Sequence, residues 1–328
     1  MPKWITGYTS AKDFLRSVLT TVTDVNHGDD AWEIAYPVGA LPQDQIDALT
    51  NKFVIKTTTS LGLTVFVEFM KPDMVTVDSV EIPNNYFVKT RFGHSYDPET
   101  DTWGEDAVSE YAEWAWFRRN SEATVKGWLP ISFWMYLSSD TIATVIMGDP
   151  NANFDDYLIS FGYFGTVKGF EGADPDTEGN FGMTVSSDIV PDYPRTYGDK
   201  TGNGVTDVCM LKTRSGYPFQ AHVLSITTPD EFVDKHILGP SNWTHKYHMS
   251  PAYMWHGLDG YRGELDAVIV TDRSSVVHQD ELIINKDSVD PEKPEKIYKY
   301  FALNAPYSMF NNSSNVQYGV AILKPSDL

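Results

Sequence analysis

Basic residues are scarce in this chain: 25 Lys and Arg stand against 45 Asp and Glu, for a formal net charge of -20. Proteins that bind nucleic acid neutralise phosphates with basic groups, so the average field here excludes DNA or RNA as an expected partner. It also discourages adhesion to an anionic membrane surface. Cysteine is nearly absent. With Cys209 alone, no disulfide forms within the chain and no zinc site can be built from several cysteines. No run of about 18 apolar residues occurs, so no spanning helix is expected. The opening Met1-Pro2-Lys3-Trp4 lacks the apolar core of a signal peptide. The expectation is a soluble protein made in a cytoplasm. Catalytic signatures are missing too: there is no G-x-S-x-G, no P-loop and no dinucleotide fingerprint.

Aromatic side chains are plentiful, with 9 Trp, 18 Tyr and 17 Phe in 328 residues. Such residues suit pleated, half-buried surfaces and also dominate the centres of interfaces. A 41% hydrophobic share is enough for a large core in one domain or two packed ones.

The patterning predicts a mainly β protein with a few helices (α+β), its antiparallel sheets sandwich-like and its N-terminal segment helical. Phe14, Leu15, Val18, Leu19 and Val22 recur at helical spacing after Ser10, the expected cap, and Asp13. Asp24 to Asp30 supplies turn chemistry, and Trp32 to Tyr36 alternates as a first strand. Pro42, Ile46 and Leu49 suggest a short helix. Strands are then expected over 53–59, 63–70, 75–82 and 86–92, with Ser60-Leu61-Gly62 turning the first hairpin. Residues 107–119 read as a helix with Tyr111, Trp114 and Ala115 on one face, with an irregular aromatic loop as the alternative. A meander follows over 131–137, 141–147 and 157–166, and later strands over 205–213, 217–225, 264–271, 281–285, 297–303 and 316–323. The expected division is 1–130, a helix plus β region, and 131–328, a β-rich region, with a single compact unit as the alternative.

Few constellations carry chemistry. His245, His248 and His256 lie at short spacings that metal ligands use, but no HExxH frame surrounds them. Loop histidines bonded to backbone or water are the better account. Asp199, Thr201, Asn203 and Asp207 alternate like the first half of a calcium loop. The twelfth position is Met210 where a bidentate Glu is needed, so a Gly-rich turn entering a strand fits better. No catalytic residue and no cofactor is expected. A cell-wall hydrolase using acids such as Asp155, Asp156 or Glu264 would need two carboxylates at a defined separation, which the sequence does not show. Trp103, Trp114, Trp116, Trp128 and Trp134 cluster, and most belong in a core. One or two suit a neighbouring subunit or a sugar-stacking platform.

Three phrases carry a resemblance. They are Met249-Ser250-Pro251-Ala252-Tyr253-Met254-Trp255-His256 running on to Leu265, Tyr157 to Gly165, and Lys299 to Leu303 with Tyr318 to Ile322. Each is similar to segments in uncharacterised virion proteins of tailed bacteriophages and prophages. The resemblance implies a structural protein of the tail tip or baseplate, located in the virion. Its partners would be other virion proteins and copies of itself. No catalytic residues come with it. Within the first phrase Asp259-Gly260 forms a tight turn, Gly263 admits close backbone approach, and Arg262 pairs with a nearby acid or docks on a neighbouring chain. A carbohydrate-binding module that recognises a host glycan is the alternative.

Overall fold

The structure, a computed structural model, describes residues 1–38, 51–77, 80–85, 87–104, 108–109, 111–116 and 127–148. It further describes residues 160–168, 180–188, 205–211, 220–225, 249–256, 260–272, 281–285, 297–303 and 318–325. In chain order the elements begin with β1 (Lys3–Ser10), α1 (Phe14–Val22), a 3-10 turn (Val25–Asp30), β2 (Glu33–Tyr36) and β3 (Lys52–Thr58). Next come β4 (Thr64–Met70), β5 (Met74–Val77), β6 (Val80–Pro83), β7 (Phe87–Gly93), β8 (Tyr96–Asp97) and β9 (Thr102–Trp103). Then follow β10 (Ala112–Ala115), β11 (Pro130–Leu137), β12 (Thr141–Gly148), β13 (Ser160–Lys168) and β14 (Asn180–Asp188). The last are β15 (Val205–Leu211), β16 (Gln220–Ser225), β17 (Met249–His256), β18 (Gly260–Asp272), β19 (Glu281–Asn285), β20 (Ile297–Leu303) and β21 (Tyr318–Lys324).

Mainly antiparallel β structure results. A 12-stranded sheet runs β1-β11-β12-β13-β14-β15-β16-β17-β18-β21-β20-β19, and a 5-stranded sheet runs β10-β7-β4-β3-β2. The large sheet curls until β18 also pairs with β13, Val167 against Leu265 and Lys168 against Glu264, so it is a nearly closed barrel. Gly263 makes that seam possible. Its φ is +148°, and a Cβ there would meet the Lys168 carbonyl oxygen at 2.3 Å, so a side chain would hold the two strands apart.

Strands β11, β12 and β13 of the large sheet are apolar on both faces, because something covers each. One face of β11, β12 and β13 carries Phe133, Met135, Ile142, Ile146 and Phe164. These pack with Phe14, Val18 and Val22 of α1 and with Phe53, Ile55, Val67 and Phe69 of the smaller sheet. The opposite face carries Ala143, Val145, Phe161 and Tyr163 against Leu265, Val268 and Ile322. Period-2 alternation thus sorts residues between two cores rather than between core and water. The first core draws on residues from both sides of position 130. Hydrogen bonds fasten the sheets at one end: Trp32 Nε1 donates to Ser138 O (2.9 Å) and Thr57 Oγ1 to Ser139 O (2.7 Å). Ser60 donates through N and Oγ to the Asp140 carboxylate (2.5 and 2.6 Å).

Several local expectations need correction. Residues 112–115 are strand β10, not helix, because Ala112 to Ala115 pair with Phe87 to Thr90 and Ala112 and Trp114 point into the core while Glu113 does not. Tertiary pairing overrides a short helical pattern here. The single strand expected over 75–82 is a hairpin, β5 with β6. Strands β1, β14 and β17 were not expected, and His256 lies in β17 rather than in a loop. Ser10 ends β1 instead of capping the helix. Asp13 holds the cap position, and the Ser10 hydroxyl donates to its carboxylate (2.6 Å). The short helix expected near Pro42 lies outside the described residues.

Candidate functional site

The outer face of the five-stranded sheet, away from the main core, gathers charge and aromatic rings. Strand alternation puts Phe66, Glu68 and Met70 of β4 on this face, and antiparallel register sets Glu68 directly opposite Arg91 of β7. The small β8–β9 hairpin folds over them. Tyr96 and Trp103 pack together (4.9 Å between centroids) and both pack on Phe66 (5.7 and 6.4 Å). Two devices shape the hairpin's tip. Asp97 accepts from Glu99 N (2.9 Å) and Thr100 Oγ1 (2.8 Å), and Asp101 sits at φ +53°, a left-handed conformation that Asp tolerates better than most residues.

Glu68 is fully buried. An uncompensated carboxylate there would be very costly, and this one is compensated by four donors. Oε2 accepts from Arg91 Nε (3.2 Å), Arg91 Nη2 (2.9 Å) and Trp103 Nε1 (2.9 Å), while Oε1 accepts a short bond from the Tyr111 hydroxyl. The Arg91 guanidinium lies against the rings of Tyr111 (4.3 Å) and Trp103 (5.2 Å). A second ion pair borders the first: Lys52 Nζ binds Asp101 Oδ1 (2.6 Å) and stands 3.8 Å from Glu68 Oε2. Tyr96 OH donates to the same Asp101 oxygen (2.8 Å). Two acids and two bases cancel in formal charge.

The neighbours shift ionisation in a consistent way. Burial, then the bond to Asp101, pushes the Tyr96 hydroxyl well above the usual phenol range. Burial followed by Glu68 does the same to Tyr111. For Asp101 burial pushes the carboxyl up, but the Lys52 and Tyr96 bonds outweigh it and hold the group below the usual carboxylate range. A base must offer a free lone pair within reach of a substrate proton. Glu68 spends its oxygens on four protein donors, so the arrangement is chemically a clamp. It ties β8–β9 and Tyr111 to the sheet and leaves Trp103 half-buried at the margin.

The Trp residues singled out by their spacing separate in space. Trp114 and Trp116 lie in the core, and Trp114 Nε1 donates to Ser160 Oγ (2.9 Å). They are therefore withdrawn as interface candidates. A Cβ on Gly162 would sit 2.4 Å from the Trp114 ring, so that glycine makes room for the indole. Trp103 is half-buried in the clamp, Trp134 is half-buried on the large sheet, and Trp128 is 68% exposed. Asp207, His256 and Arg262 fall on β15, β17 and β18. His245, His248, Asp199, Thr201, Asn203, Asp155, Asp156 and Asp259 lie outside the described residues. Glu264 is half-buried on β18. Among the described residues no group of three or more His, Cys, Asp or Glu could hold a metal ion, and no helix is long and apolar enough to cross a membrane.

Sequence reading missed Glu68, Arg91, Lys52, Asp101 and Tyr111. One signal was present: Glu68 is the only charge in the apolar strand Val65-Phe66-Val67-Glu68-Phe69-Met70, and a buried acid needs a partner. No protein family matches the chain, and neither a curated protein nor a solved structure matches it.

Proposed function

We propose that this protein is a structural component of a tailed-phage virion, in the tail tip or baseplate, and that it works through contacts with other subunits. The observation that carries the reading is the commitment of Glu68. The most deeply buried acid described is spent on fastening a hairpin, which suits a rigid building block better than a reactive centre. The three phrases that resemble virion proteins support the same reading, and two of them lie on β17–β18 and β20–β21 of the curled sheet. In this reading the smaller sheet and the large one form a sandwich-like body, with α1 as its N-terminal helix. The test is mass spectrometry of purified particles from the phage or prophage that encodes the chain. Stoichiometric presence in the particle is the expected result; consistent absence overturns the proposal.

A second reading, a glycan-binding tip that recognises the host surface, is favoured by one feature. Trp103 and Tyr111 flank Arg91 with both rings partly open to solvent, an arrangement able to stack a sugar. Binding to host cell-wall polymers that is lost in Trp103→Ala supports it, and no binding to any such polymer removes it.

A further inference from the structure

We propose that the β13–β18 seam is a latch: residues Glu264 to Ala267 of β18 close the curled sheet against β13 and swing away as a unit, hinged at Ala267, while the strands on either side stay folded. The inference stands apart from any place in a virion, since it concerns only how the sheet opens.

Strand β18 does not follow β17 throughout. The ladder between them runs from Met249–Thr271 to Pro251–Ile269, breaks, and resumes at Tyr253–Glu264. Across the break Ala252 alone stands opposite four residues, Leu265 to Val268, so β18 bulges away from the ladder there. Pro251, with no N–H to donate, stands at the last pair before the break. On its other edge β18 changes partner over the same stretch. Glu264 and Leu265 pair with Lys168 and Val167 of β13, and Val268 to Asp272 pair with β21. Asp266 and Ala267 make the step between the two. That step turns the backbone left-handed, with Ala267 at φ +62°. Alanine has no side-chain group that eases this conformation, so closing the seam stores strain at one residue.

Opposing forces meet at the seam, as an element with two positions requires. Burial favours closure: Val167, Leu265 and Ala267 belong to the second core. Tyr163 reinforces it, its hydroxyl donating to Thr166 O (2.6 Å) and accepting from Asp266 N (2.9 Å). Lys168 and Asp266 add an ion pair, but the Lys168 side chain is exposed, so that pair contributes little. Strain favours opening, since a released Ala267 returns to an extended conformation. The seam ladder is also short, two pairs among the described residues against seven between β11 and β12. Local opening selects such places, where few strand pairs must break together. Once the latch is open, water reaches Val167 and Leu265, and the sheet can uncurl along that line.

Native-state hydrogen exchange of the full chain, at increasing denaturant below the unfolding transition, tests the proposal. Two amides report on the seam. Asp266 N–H donates to Tyr163. Thr166 turns its N–H to Asp140 O, so Lys168, two residues on, turns its own to β18. Both should exchange about tenfold or more faster than Met135 and Val145 of β11 and β12, with a weaker dependence on denaturant. Ala267→Gly removes the strain, because glycine takes a positive φ freely. It should slow exchange at Lys168 and Asp266 about three- to tenfold. A seam that opens without releasing Ala267 would be indifferent to this change. Lys168→Cys with Glu264→Cys, in a Cys209→Ser background, supplies the second test. Hydrogen-bonded Cα pairs sit about 5.5 Å apart, within disulfide reach. Oxidation should therefore lock the latch and bring exchange at Asp266 down to that of Met135, and reduction should restore it. Exchange at Lys168 and Asp266 that keeps pace with Met135 and Val145 at every denaturant concentration overturns the proposal. So does faster exchange that Ala267→Gly leaves unchanged, and so does faster exchange that the cross-link fails to slow.

Discussion

Glu68 takes four hydrogen bonds with no exposed surface of its own, and its replacement takes the carboxylate from Arg91, while Lys52 keeps Asp101. Breaking a buried pair costs more than never having built it, because the remaining charge loses its compensation. Arg91 and Lys52 keep 20% and 25% side-chain exposure, which lets water recover part of the loss. Glu68→Gln should therefore destabilise by on the order of 2–3 kcal/mol, read from the urea midpoint at unchanged m-value. The tyrosines give a test by pH. Burial, followed by neighbouring acids, moves the ionisation of Tyr96, Tyr111, Tyr136 and Tyr163 to higher pH. Their folded values exceed the unfolded value of about 10, so their stabilising contribution is complete below that pH. It is lost as pH rises beyond it, because the unfolded chain releases protons that the folded one retains. In an alkaline titration, tyrosinate absorbance from these residues should appear only as the β-sheet circular dichroism signal collapses.

At the scale of elements, the curl of the large sheet depends on the β13–β18 seam. Gly263 permits the backbone approach there, and Tyr163 spans it: its hydroxyl donates to Thr166 O (2.6 Å) and accepts from Asp266 N (2.9 Å). Lys168 and Asp266 add an ion pair at the rim. Tyr163→Phe strands a buried carbonyl and an N–H, which costs about 1–3 kcal/mol. Gly263→Ala should separate the strands and increase amide hydrogen exchange at Val167 and Lys168 well above that of β11–β12. Equal protection in the variant and the parent would show that the seam tolerates a side chain. On the other face, Gly162→Ala should displace the Trp114 indole, seen as a shift in tryptophan emission with loss of about 1–3 kcal/mol from overpacking.

For the whole molecule, one core joins α1, the five-stranded sheet and strands β11 to β14. Trp114 itself packs against Phe14 of α1, Phe69 of β4 and Phe164 of β13. Elements sharing such residues have little reason to unfold separately. Denaturant titrations followed by tryptophan fluorescence and by far-ultraviolet circular dichroism should then coincide for this part of the chain. Two resolved transitions would mean that the smaller sheet has an independent core.

Much of the β content was legible in the residues, because alternation and turn chemistry act locally. The Ser60-Leu61-Gly62 turn forms with Gly62 at φ +80°, and the meander of β11, β12 and β13 follows its apolar runs. Strands β1 and β14 escaped because glycine, serine and threonine dilute their patterns, and β17 because Ser250 and Pro251 interrupt its apolar run. Their place comes from neighbours: Gly7 lies beneath the Phe133 ring, which its own sequence cannot announce. The same holds for the segment around Trp114, whose conformation was decided by the free edge of β7. Composition and short-range order determined an acidic, aromatic-rich chain of antiparallel strands, since those properties are set within a few residues. Which acid is buried, which tryptophans remain at the surface and which strands pair were decided only when distant strands came into register, because burial and pairing belong to contacts made across the chain.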